Sequence, residues 1–345
     1  MKSVDISSLV RQNIRILKPY SSARDEFQGP ASVYLDANEN PNKTAYNRYP
    51  DPHQVHLKKR IAQLKKVQPE QIFLGNGSDE PIDLIIRAFC EPNRDNVVIP
   101  MPTYGMYSIS ASINAIAVKA VNLTSDFDID LNAVEDAWDK NTKLLFMCSP
   151  NNPSGNLLSA DKIKHLLETF KGVIILDEAY IDFIEGDGFL PLLGTHSNLV
   201  VLQTLSKAWG LAGIRLGMCF SNPEIIRLLN TIKPPYNISG LSQSVALACL
   251  ENENKKNEWV REIKKQRQIL NDHLTRVPQV EKVYPSDANF LLVKVKNAHR
   301  TYHDLVTRGI IVRDRSNVIL CENCLRITVG TEQENKQLVD ALRQL

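Results

Sequence analysis

The chain has 345 residues, enough for two domains or for one large domain with a smaller companion. Hydrophobic residues make up 43% and charged residues 23%, and the net charge of +2 comes from interspersed signs, which excludes a nucleic-acid footprint and an acidic tail. No apolar run reaches membrane-spanning length and the N-terminus lacks the apolar core of a signal peptide, so we expect a cytoplasmic protein without membrane or nucleic-acid partners.

The cysteines give no sign of a metal site. Six are spread along the chain, and only Cys321 and Cys324 form a C-x-x-C pair. A structural zinc site needs a second pair of ligands at suitable spacing, and no His or Cys cluster supplies one. We therefore expect reduced cysteines and no bound metal.

Between about residues 50 and 235, short β-branched runs alternate with amphipathic helical patterns, as in βαβ units. Several runs are apolar without alternation, which indicates strands covered on both faces of a mostly parallel sheet. Strands are predicted at 71–75, 96–100, 115–121, 143–148, 172–177, 198–204 and 215–220, and helices at 53–67, 80–89, 130–138, 159–170 and 223–232.

After residue 240 the rhythm changes to two helical patterns, at 241–251 and 259–276, and then strand-like pieces. The pieces lie at 288–295, 309–313 and 324–329, with a helix between them and one at the end. The predicted class is α/β, with a large sheet between helical layers and a smaller α+β domain. The expected divisions are an N-terminal arm with part of the small domain at 1–45, a large domain at 46–240 and a small domain at 241–345.

Ligands of open α/β sheets bind beyond the carboxyl ends of the strands, so the residues that follow each strand are candidates for a site. Three successive strands are followed by an amide, a carboxylate and an amine, namely Asn152, Asp177 and Lys207. Another strand is followed by Gly77, Ser78 and Asp79, which open a helix.

This combination matches the needs of pyridoxal 5′-phosphate (PLP). The cofactor needs a lysine amine for its aldehyde and a carboxylate for its pyridine nitrogen, which Lys207 and Asp177 supply. Its phosphate needs backbone N–H groups at a helix start, together with hydroxyls and a cation. The candidates for that role are Gly77, Ser78, Asp79, Thr204, Ser206 and Arg215.

Each of these residues alone is more often structural, and the sequence permits two other interpretations. GNGSDE (75–80) resembles a dinucleotide fingerprint, but it lacks the third glycine and no acidic residue ends the next strand. Asp177 and Glu178 could serve a Walker-B-like metal site, yet no Walker-A sequence exists. The combination favours PLP.

Signature segments make the resemblance specific. SPNNPSG (149–155), LDEAYIDF (176–183), TLSKAWGLAGIRLG (204–217) and CLRITVG (324–330) are similar to those of the PLP aminotransferases whose class includes aspartate aminotransferase. Within that class the set resembles the histidinol-phosphate aminotransferases, nearly end to end, from LKPYSSAR (17–24) to GIIVRDRS (309–316). The resemblance implies the PLP-dependent transferase fold and a homodimer.

The resemblance also implies roles for the matching residues. Lys207 would hold PLP as a Schiff base and shuttle the proton, and Asp177 would pair with the pyridinium nitrogen. Tyr180 and Asn152, with these two the catalytic set, would hydrogen-bond the ring oxygen, and Tyr104 would stack on the ring. The phosphate would be held by Arg215, Ser206, Thr204, the backbone at Ser78 and Asp79, and Tyr49 from the neighbouring subunit.

On the substrate side, Arg326 matches the arginine that binds the substrate carboxylate across the class, and Arg313 would face the same spot. Two guanidiniums suit a dianionic phosphate better than a single carboxylate. The alternative is that Arg313 pairs with Asp314 or Glu322 on the surface. Two further substrate-side candidates are Tyr20 and Asn38.

The implied reaction is transamination between histidinol phosphate and 2-oxoglutarate, giving imidazole-acetol phosphate and glutamate in histidine biosynthesis. An aminotransferase of aromatic or broad specificity would keep every cofactor residue. A decarboxylase of a phosphorylated amino acid could use the same scaffold and the same two arginines. A PLP-sensing regulator would need an added nucleic-acid-binding module, for which this chain has no residues to spare.

Overall fold

The computed structural model describes residues 4–20 and 31–345, and in them the fold is built on two β-sheets of seven and four strands. Of the N-terminal arm expected at 1–45, residues 1–3 and 21–30 lie outside the described residues. No helix in the described ranges is long and apolar enough to cross a membrane.

The large sheet contains all seven predicted strands. They are β1 (Ile72–Asn76), β2 (Asn96–Met101), β3 (Ala117–Asn122), β4 (Thr142–Cys148), β5 (Val173–Asp177), β6 (Leu199–Thr204) and β7 (Leu216–Ser221). Their order in the sheet is β1-β7-β6-β5-β4-β2-β3. Only β7 runs antiparallel to its neighbours, so the prediction of a mostly parallel sheet is confirmed.

Alternate residues of these strands point into two apolar cores, one on each face. In β5, Ile174 and Leu176 belong to one core while Val173 and Ile175 belong to the other. This two-sided burial explains why the strand sequences lack polar alternation. The covering helices are α3 (Val55–Lys65), α4 (Asp79–Phe89), α5 (Met106–Ile113), α6 (Leu131–Ala137), α7 (Ala160–Thr169), α8 (Pro223–Ile232) and α9 (Gly240–Leu250), with 3₁₀ turns at Pro69–Gln71, Ile181–Phe183, Leu190–Gly194 and Ala212–Ile214.

The N-terminal segment packs on the large sheet. It contains two single-turn helices, α1 (Ile6–Leu9) and α2 (Gln12–Arg15). Ile6 and Val10 join the core that contains α4, and the Arg11 N–H donates to the Ala88 carbonyl at 3.0 Å. Ile6, Val10 and Arg11 therefore pack on the large sheet, while the expected grouping of 1–45 with the small domain stays a prediction.

The small sheet is antiparallel, in the order β10-β11-β9-β8, and confirms the predicted α+β region. The strand predicted at 309–313 is reduced to two residues, because the N–H groups of Gly309 and Ile310 instead donate to carbonyls in the last turn of the preceding helix. The elements are α10 (Glu253–Leu274), β8 (Val280–Val283), β9 (Phe290–Val295), α11 (Ala298–Thr307), β10 (Arg313–Asp314), β11 (Cys324–Thr328) and α12 (Glu332–Arg343).

The two sheets meet beside the carboxyl edge of the large one. Tyr180 and Phe183, which follow β5, form a small apolar cluster with Val260 of α10 and Phe290 of β9. Helix α9 packs on α3 and contributes Leu250 to the large core. We propose that the domain boundary follows α9 closely, near the expected division at residue 240.

Candidate active site

Three adjacent parallel strands deliver the predicted polar residues to one edge. Cys148 of β4 pairs with Asp177 of β5, and Asp177 pairs with Leu202 of β6, so the strands end side by side. The crevice beyond them encloses a cavity of about 150 Å³. Its lining contains eleven predicted residues: Gly77, Ser78, Asp79, Tyr104, Asn152, Asp177, Tyr180, Thr204, Ser206, Lys207 and Arg215.

Asp177 is the last residue of β5 and is only 3% exposed. Its Oδ2 accepts a hydrogen bond from the Tyr107 hydroxyl at 2.6 Å, and its Oδ1 accepts one from the Ala179 N–H at 3.0 Å. Burial raises the pKa of Asp177 to about 6, while these two donors oppose the rise. The carboxyl group is thus fixed in orientation and close to its titration point at neutral pH.

Tyr107 is a site residue that sequence reasoning missed. It lies on α5, is fully buried, and stacks on Phe146 with ring centroids 5.1 Å apart. Burial and the neighbouring Asp177 raise its pKa, so the phenol stays protonated and donates. The available signal was its position in the segment PTYGMYS (102–108), three residues after Tyr104 and at the start of α5.

Lys207 lies on the turn after β6, and its Nζ is 5.7 Å from the centroid of the Tyr180 ring. Burial lowers the pKa of Lys207, the positive charge of Arg326 lowers it further, and Asp177 opposes the shift. A lowered pKa makes the neutral amine more accessible, and this is the form that acts as a nucleophile or base.

Asn152 connects the two sheets across the crevice. Its Oδ1 accepts a hydrogen bond from Arg326 Nη1 at 2.6 Å, and its Nδ2 donates to the Tyr180 hydroxyl at 3.4 Å. The Arg326 guanidinium also lies 5.4 Å from the centroid of the Phe290 ring. Arg326 is therefore placed at the crevice by one polar and one aromatic contact.

The turn from β1 into α4 closes the opposite end of the cavity. Gly77 has φ +67°, a backbone conformation that favours glycine, and a Cβ there would lie 2.6 Å from Arg215 Nη2, so a larger residue would also displace the guanidinium. The first N–H groups of α4 have no partner within the helix and suit an anion. Arg215 Nη2 lies 3.8 Å from Asp79 Oδ2, and the Tyr104 hydroxyl donates to Asp79 Oδ1 at 3.0 Å.

This geometry refines two predictions, one on the backbone of Arg215 and one on the hydroxyl of Thr204. Arg215 was expected to begin a strand, but it has left-handed φ +54° and precedes β7. The Thr204 hydroxyl donates toward the Leu216 carbonyl at 3.3 Å and accepts from the Ser206 N–H at 3.1 Å. Thr204 thus also shapes the turn that carries Lys207.

Arg313 lies directly opposite Arg326 in the pairing of β10 with β11. The alternative ion pair with Asp314 is not formed. The Asp314 carboxylate accepts from the Ser316 N–H at 2.8 Å and lies 3.7 Å from His299 Nδ1. Within residues 4–20 and 31–345, neither Arg313 nor Arg326 takes part in an ion pair.

Three predicted residues lie outside the crevice of their own chain. Tyr49 stacks on Tyr236 with ring centroids 4.5 Å apart, and Tyr49 and Asn38 both line a separate open cavity of about 640 Å³. Tyr20 is 72% exposed. In the described part of the chain there is no group of three or more His, Cys, Asp or Glu that could hold a metal ion.

Comparison with known proteins agrees with this geometry. The family model described as aminotransferase class I and II matches residues 24–342. The histidinol-phosphate aminotransferase of Cytophaga hutchinsonii is 52% identical over 342 residues, which cover 98% of each chain.

Solved structures give the same result. The histidinol-phosphate aminotransferase from Clostridium acetobutylicum matches with a TM-score of 0.80 and 28% identity, over 86% of this chain and 90% of that one. The enzyme of the same name from Sinorhizobium meliloti, solved in complex with PLP, matches with a TM-score of 0.78 and 24% identity, over 86% and 82%. The predicted fold class is confirmed, and the chain belongs to the aminotransferase class I and II family, within which its sequence groups it with the histidinol-phosphate aminotransferases.

Proposed function

We propose that this chain is a PLP-dependent aminotransferase that exchanges the amino group between histidinol phosphate and 2-oxoglutarate, as a step of histidine biosynthesis. The observation that carries the proposal is the meeting of Lys207, Asp177 and Arg326 at one crevice, with Asn152 hydrogen-bonded to the arginine. Relatives about half identical over nearly the whole chain carry the corresponding name.

The residues fit PLP. A buried carboxyl group with two fixed donors and remaining acceptor capacity, Asp177, suits a protonated ring nitrogen. The helix start after Gly77 and the Arg215 guanidinium suit a phosphate, because the glycine leaves the N–H groups open. Tyr104 offers an aromatic face at the same cavity.

When bound, PLP supplies an aldehyde for a lysine amine and a protonated ring that stabilises negative charge on the substrate's Cα. Lys207, whose pKa is lowered in this site, would take the Cα proton as general base through its neutral amine and later return a proton. Ionised Asp177 keeps the ring nitrogen protonated, since an adjacent negative charge favours the charged ring. Asn152 and Tyr180 would hydrogen-bond the ring oxygen of the cofactor, and Arg326 would hold the anionic end of the substrate.

The arginine pair supports the choice of substrate. Arg313 and Arg326 face each other across two hydrogen-bonded strands and form no ion pair among the described residues. A phosphate monoester carries close to two negative charges at pH 7 and presents three acceptor oxygens, which two guanidinium forks can share. Histidinol phosphate carries this group where an amino acid carries its α-carboxylate.

We also propose a homodimer in the cytoplasm. Large apolar side chains are exposed at the cavity that contains Tyr49, including Tyr46 and Leu241, and exposed apolar patches mark association surfaces. Tyr49 of one subunit would then reach the phosphate site of the other. All six cysteines are free thiols, as is usual in a reducing compartment.

A substrate panel tests the function. The PLP-loaded protein is assayed with histidinol phosphate, phenylalanine and threonine phosphate, each with 2-oxoglutarate, and glutamate is measured. We expect kcat/KM to be highest for histidinol phosphate, and no decarboxylation of threonine phosphate. A higher kcat/KM for phenylalanine would instead identify an aromatic aminotransferase.

The cofactor is tested separately. Borohydride reduction of the loaded protein, followed by peptide mapping, should find the cofactor attached to the peptide that contains Lys207. Attachment to any other lysine would contradict the assignment of the site, even if the substrate panel gave the expected order.

A further inference from the structure

A third arginine lies on the same side of the small sheet as the pair that faces the substrate. Arg313 of β10 is paired with Arg326 of β11, and the Arg315 N–H donates to the Cys324 carbonyl at 2.9 Å, which extends the ladder by one step. Side chains two residues apart in an extended strand point to the same face. Arg313, Arg315 and Arg326 therefore form one surface, which we name the arginine face.

The arginine face looks toward the crevice. Its neighbour Cys324 belongs to the core of the large sheet, whereas Leu325, on the opposite side of β11, belongs to the core of the small domain. Arg326 reaches Asn152 at 2.6 Å. The direction of the arginine face is thus fixed by contacts on both sides of the strand.

Arg315 has an unsatisfied donor. It is partly buried, its Nε is shielded from solvent, and that atom has no hydrogen-bond partner among the described residues. A buried guanidinium N–H without an acceptor is costly, because water no longer solvates it. An acceptor brought by a ligand would remove that cost.

No negative group of the described chain balances the arginine face. Asp314 lies between Arg313 and Arg315 in sequence, but its side chain points to the other face and contacts Ser316 and His299. Burial lowers the pKa of Arg315, and the charges of Arg326 and Arg313 lower it further. Three guanidiniums without a counter-ion are a site for a multiply charged anion.

We propose that Arg315 is a specificity-determining residue, whose guanidinium joins Arg313 and Arg326 to select a dianionic phosphate monoester over a single carboxylate. This inference rests on the proposed function and adds to it a residue that the resemblance did not assign. A carboxylate has two oxygens and one charge, so the first two arginines already saturate it. A phosphate has a third oxygen and a second charge for Arg315.

The test replaces Arg315 by Gln and by Lys. Each PLP-loaded variant is assayed in the half-reaction with L-histidinol phosphate and in that with glutamate, and KM and kcat are determined separately. We expect Arg315→Gln to raise KM for histidinol phosphate roughly tenfold or more and to change glutamate kinetics less than about threefold. The KM of Arg315→Lys for histidinol phosphate should lie between those of the wild type and Arg315→Gln, because lysine keeps the charge but lacks the planar guanidinium.

A pH series adds a measurement that a merely structural role would not move. The phosphate gains its second charge near pH 6. The wild-type KM for histidinol phosphate, divided by that for glutamate, should therefore fall between about pH 5.5 and 7.5, and the fall should be smaller in Arg315→Gln. Arg300→Gln is the control, because Arg300 is an exposed arginine of the same domain and pairs only locally with Asp304.

The outcomes are distinct. If the wild type does not turn over histidinol phosphate, the proposed function fails and this inference falls with it. If the wild type does so, but Arg315→Gln and Arg315→Lys leave its KM unchanged or weaken both substrates equally, only the inference is overturned. Urea unfolding midpoints of both variants show whether a loss of activity is due to misfolding. If Arg315→Gln is misfolded, the ratio of the KM for histidinol phosphate to the KM for glutamate in Arg315→Lys decides whether the inference holds.

Discussion

The two walls of the crevice are held by the fold in different ways. The large-sheet wall consists of Asn152, Asp177 and Lys207, which lie at or just after the carboxyl ends of three central strands that are mostly buried on both faces. The small-sheet wall is the arginine face, and Arg313 lies there on an edge strand of only two residues. The strands that carry the first wall lie inside the core of the large sheet, whereas Arg313 is exposed at the edge of the small sheet.

This difference indicates that the two walls have different functions. A side chain fixed by central strands keeps its position whichever substrate is bound, as reaction chemistry requires. An edge strand can change its side chains without disturbing a core, as substrate choice requires. We therefore expect replacements in the large-sheet wall to affect all substrates alike, and replacements in the small-sheet wall to discriminate between them.

The largest effect is expected for Lys207→Ala. We propose that this amine holds the cofactor and moves the proton, so its loss should lower turnover of both histidinol phosphate and glutamate by roughly 10⁴-fold or more. Absorbance spectra and single-turnover rates measure this loss. Lys265→Ala, at an exposed position of α10, is the control. Normal turnover in the Lys207 variant would end the proposed mechanism.

Asp177→Ala should have the next largest effect. Without the carboxylate the cofactor ring loses the charge that keeps its nitrogen protonated, and we expect kcat to fall roughly 10²- to 10³-fold for both substrates. Some cofactor should remain bound through the phosphate-holding turn at Gly77. Equilibrium dialysis with PLP and half-reaction rates test this, and a loss confined to one substrate would contradict the comparison of the walls.

Arg313→Ala should discriminate between substrates. Removing one guanidinium from the arginine face should raise the KM for histidinol phosphate about tenfold or more and the KM for glutamate less. The reason is that charge-assisted hydrogen bonds to the doubly charged phosphate are lost. Steady-state kinetics with both substrates provide the ratio. An equal rise in the KM of both substrates would show that the small-sheet wall does not set specificity, and the contrast between the two walls would then be wrong.

The sequence predicted the large-sheet wall better than its surroundings. Strands buried on both faces leave an apolar signal, and the polar residues directly after them, such as Asp177, stand out. Tyr107 escaped notice because an aromatic residue in a helix usually only packs, and its hydroxyl contact depends on how α5 crosses β5. Helix α5 itself, MYSISASI (106–113), lacks a strong helical pattern.

The small-sheet wall was predicted in part. Motif similarity indicated Arg313 and Arg326. Of the strand expected at 309–313, however, only Arg313 lies in a strand, namely β10. Register decides which face each side chain takes, and an edge strand of two residues carries no periodicity to reveal it. The place of Arg315 beside the pair could be recognised only from the pairing of β10 with β11.

Tyr107→Phe should have a smaller effect than any of these. Asp177 would lose one of its two donors, so its pKa should rise above about 6 and less of it would be ionised at neutral pH. We expect kcat to fall about three- to tenfold for both substrates, with partial recovery at higher pH. The pH profile checks this, because a defect in packing alone would leave the profile in place. Tyr302→Phe, on α11 outside the crevice, is the control.

The smallest effect concerns the stability of the cofactor-free protein. Asp177 has a pKa of about 6 when folded and an ordinary value near 3.9 when unfolded. Between about pH 4 and 6 the unfolded chain loses this proton first, so the free energy of unfolding should decrease as the pH rises, and it should then level off. The full loss is on the order of 2 to 3 kcal/mol at neutral pH, from about 1.4 kcal/mol per pKa unit.

Asp177→Asn removes this penalty, since the amide does not ionise. Relative to the wild type, the variant should gain stability from pH 4.5 to 7.5 in urea unfolding of cofactor-free protein. Glu178, whose pKa burial raises to about 7, titrates in both proteins and so largely cancels in the difference. Asp136→Asn, at an exposed position, should show no such trend. If the difference in free energy of unfolding between Asp177→Asn and the wild type stays constant with pH, the pKa of Asp177 is not raised by folding. Burial in the large-sheet wall would then impose no cost on the ionised carboxylate. The contrast between the large-sheet wall and the small-sheet wall would lose its physical basis.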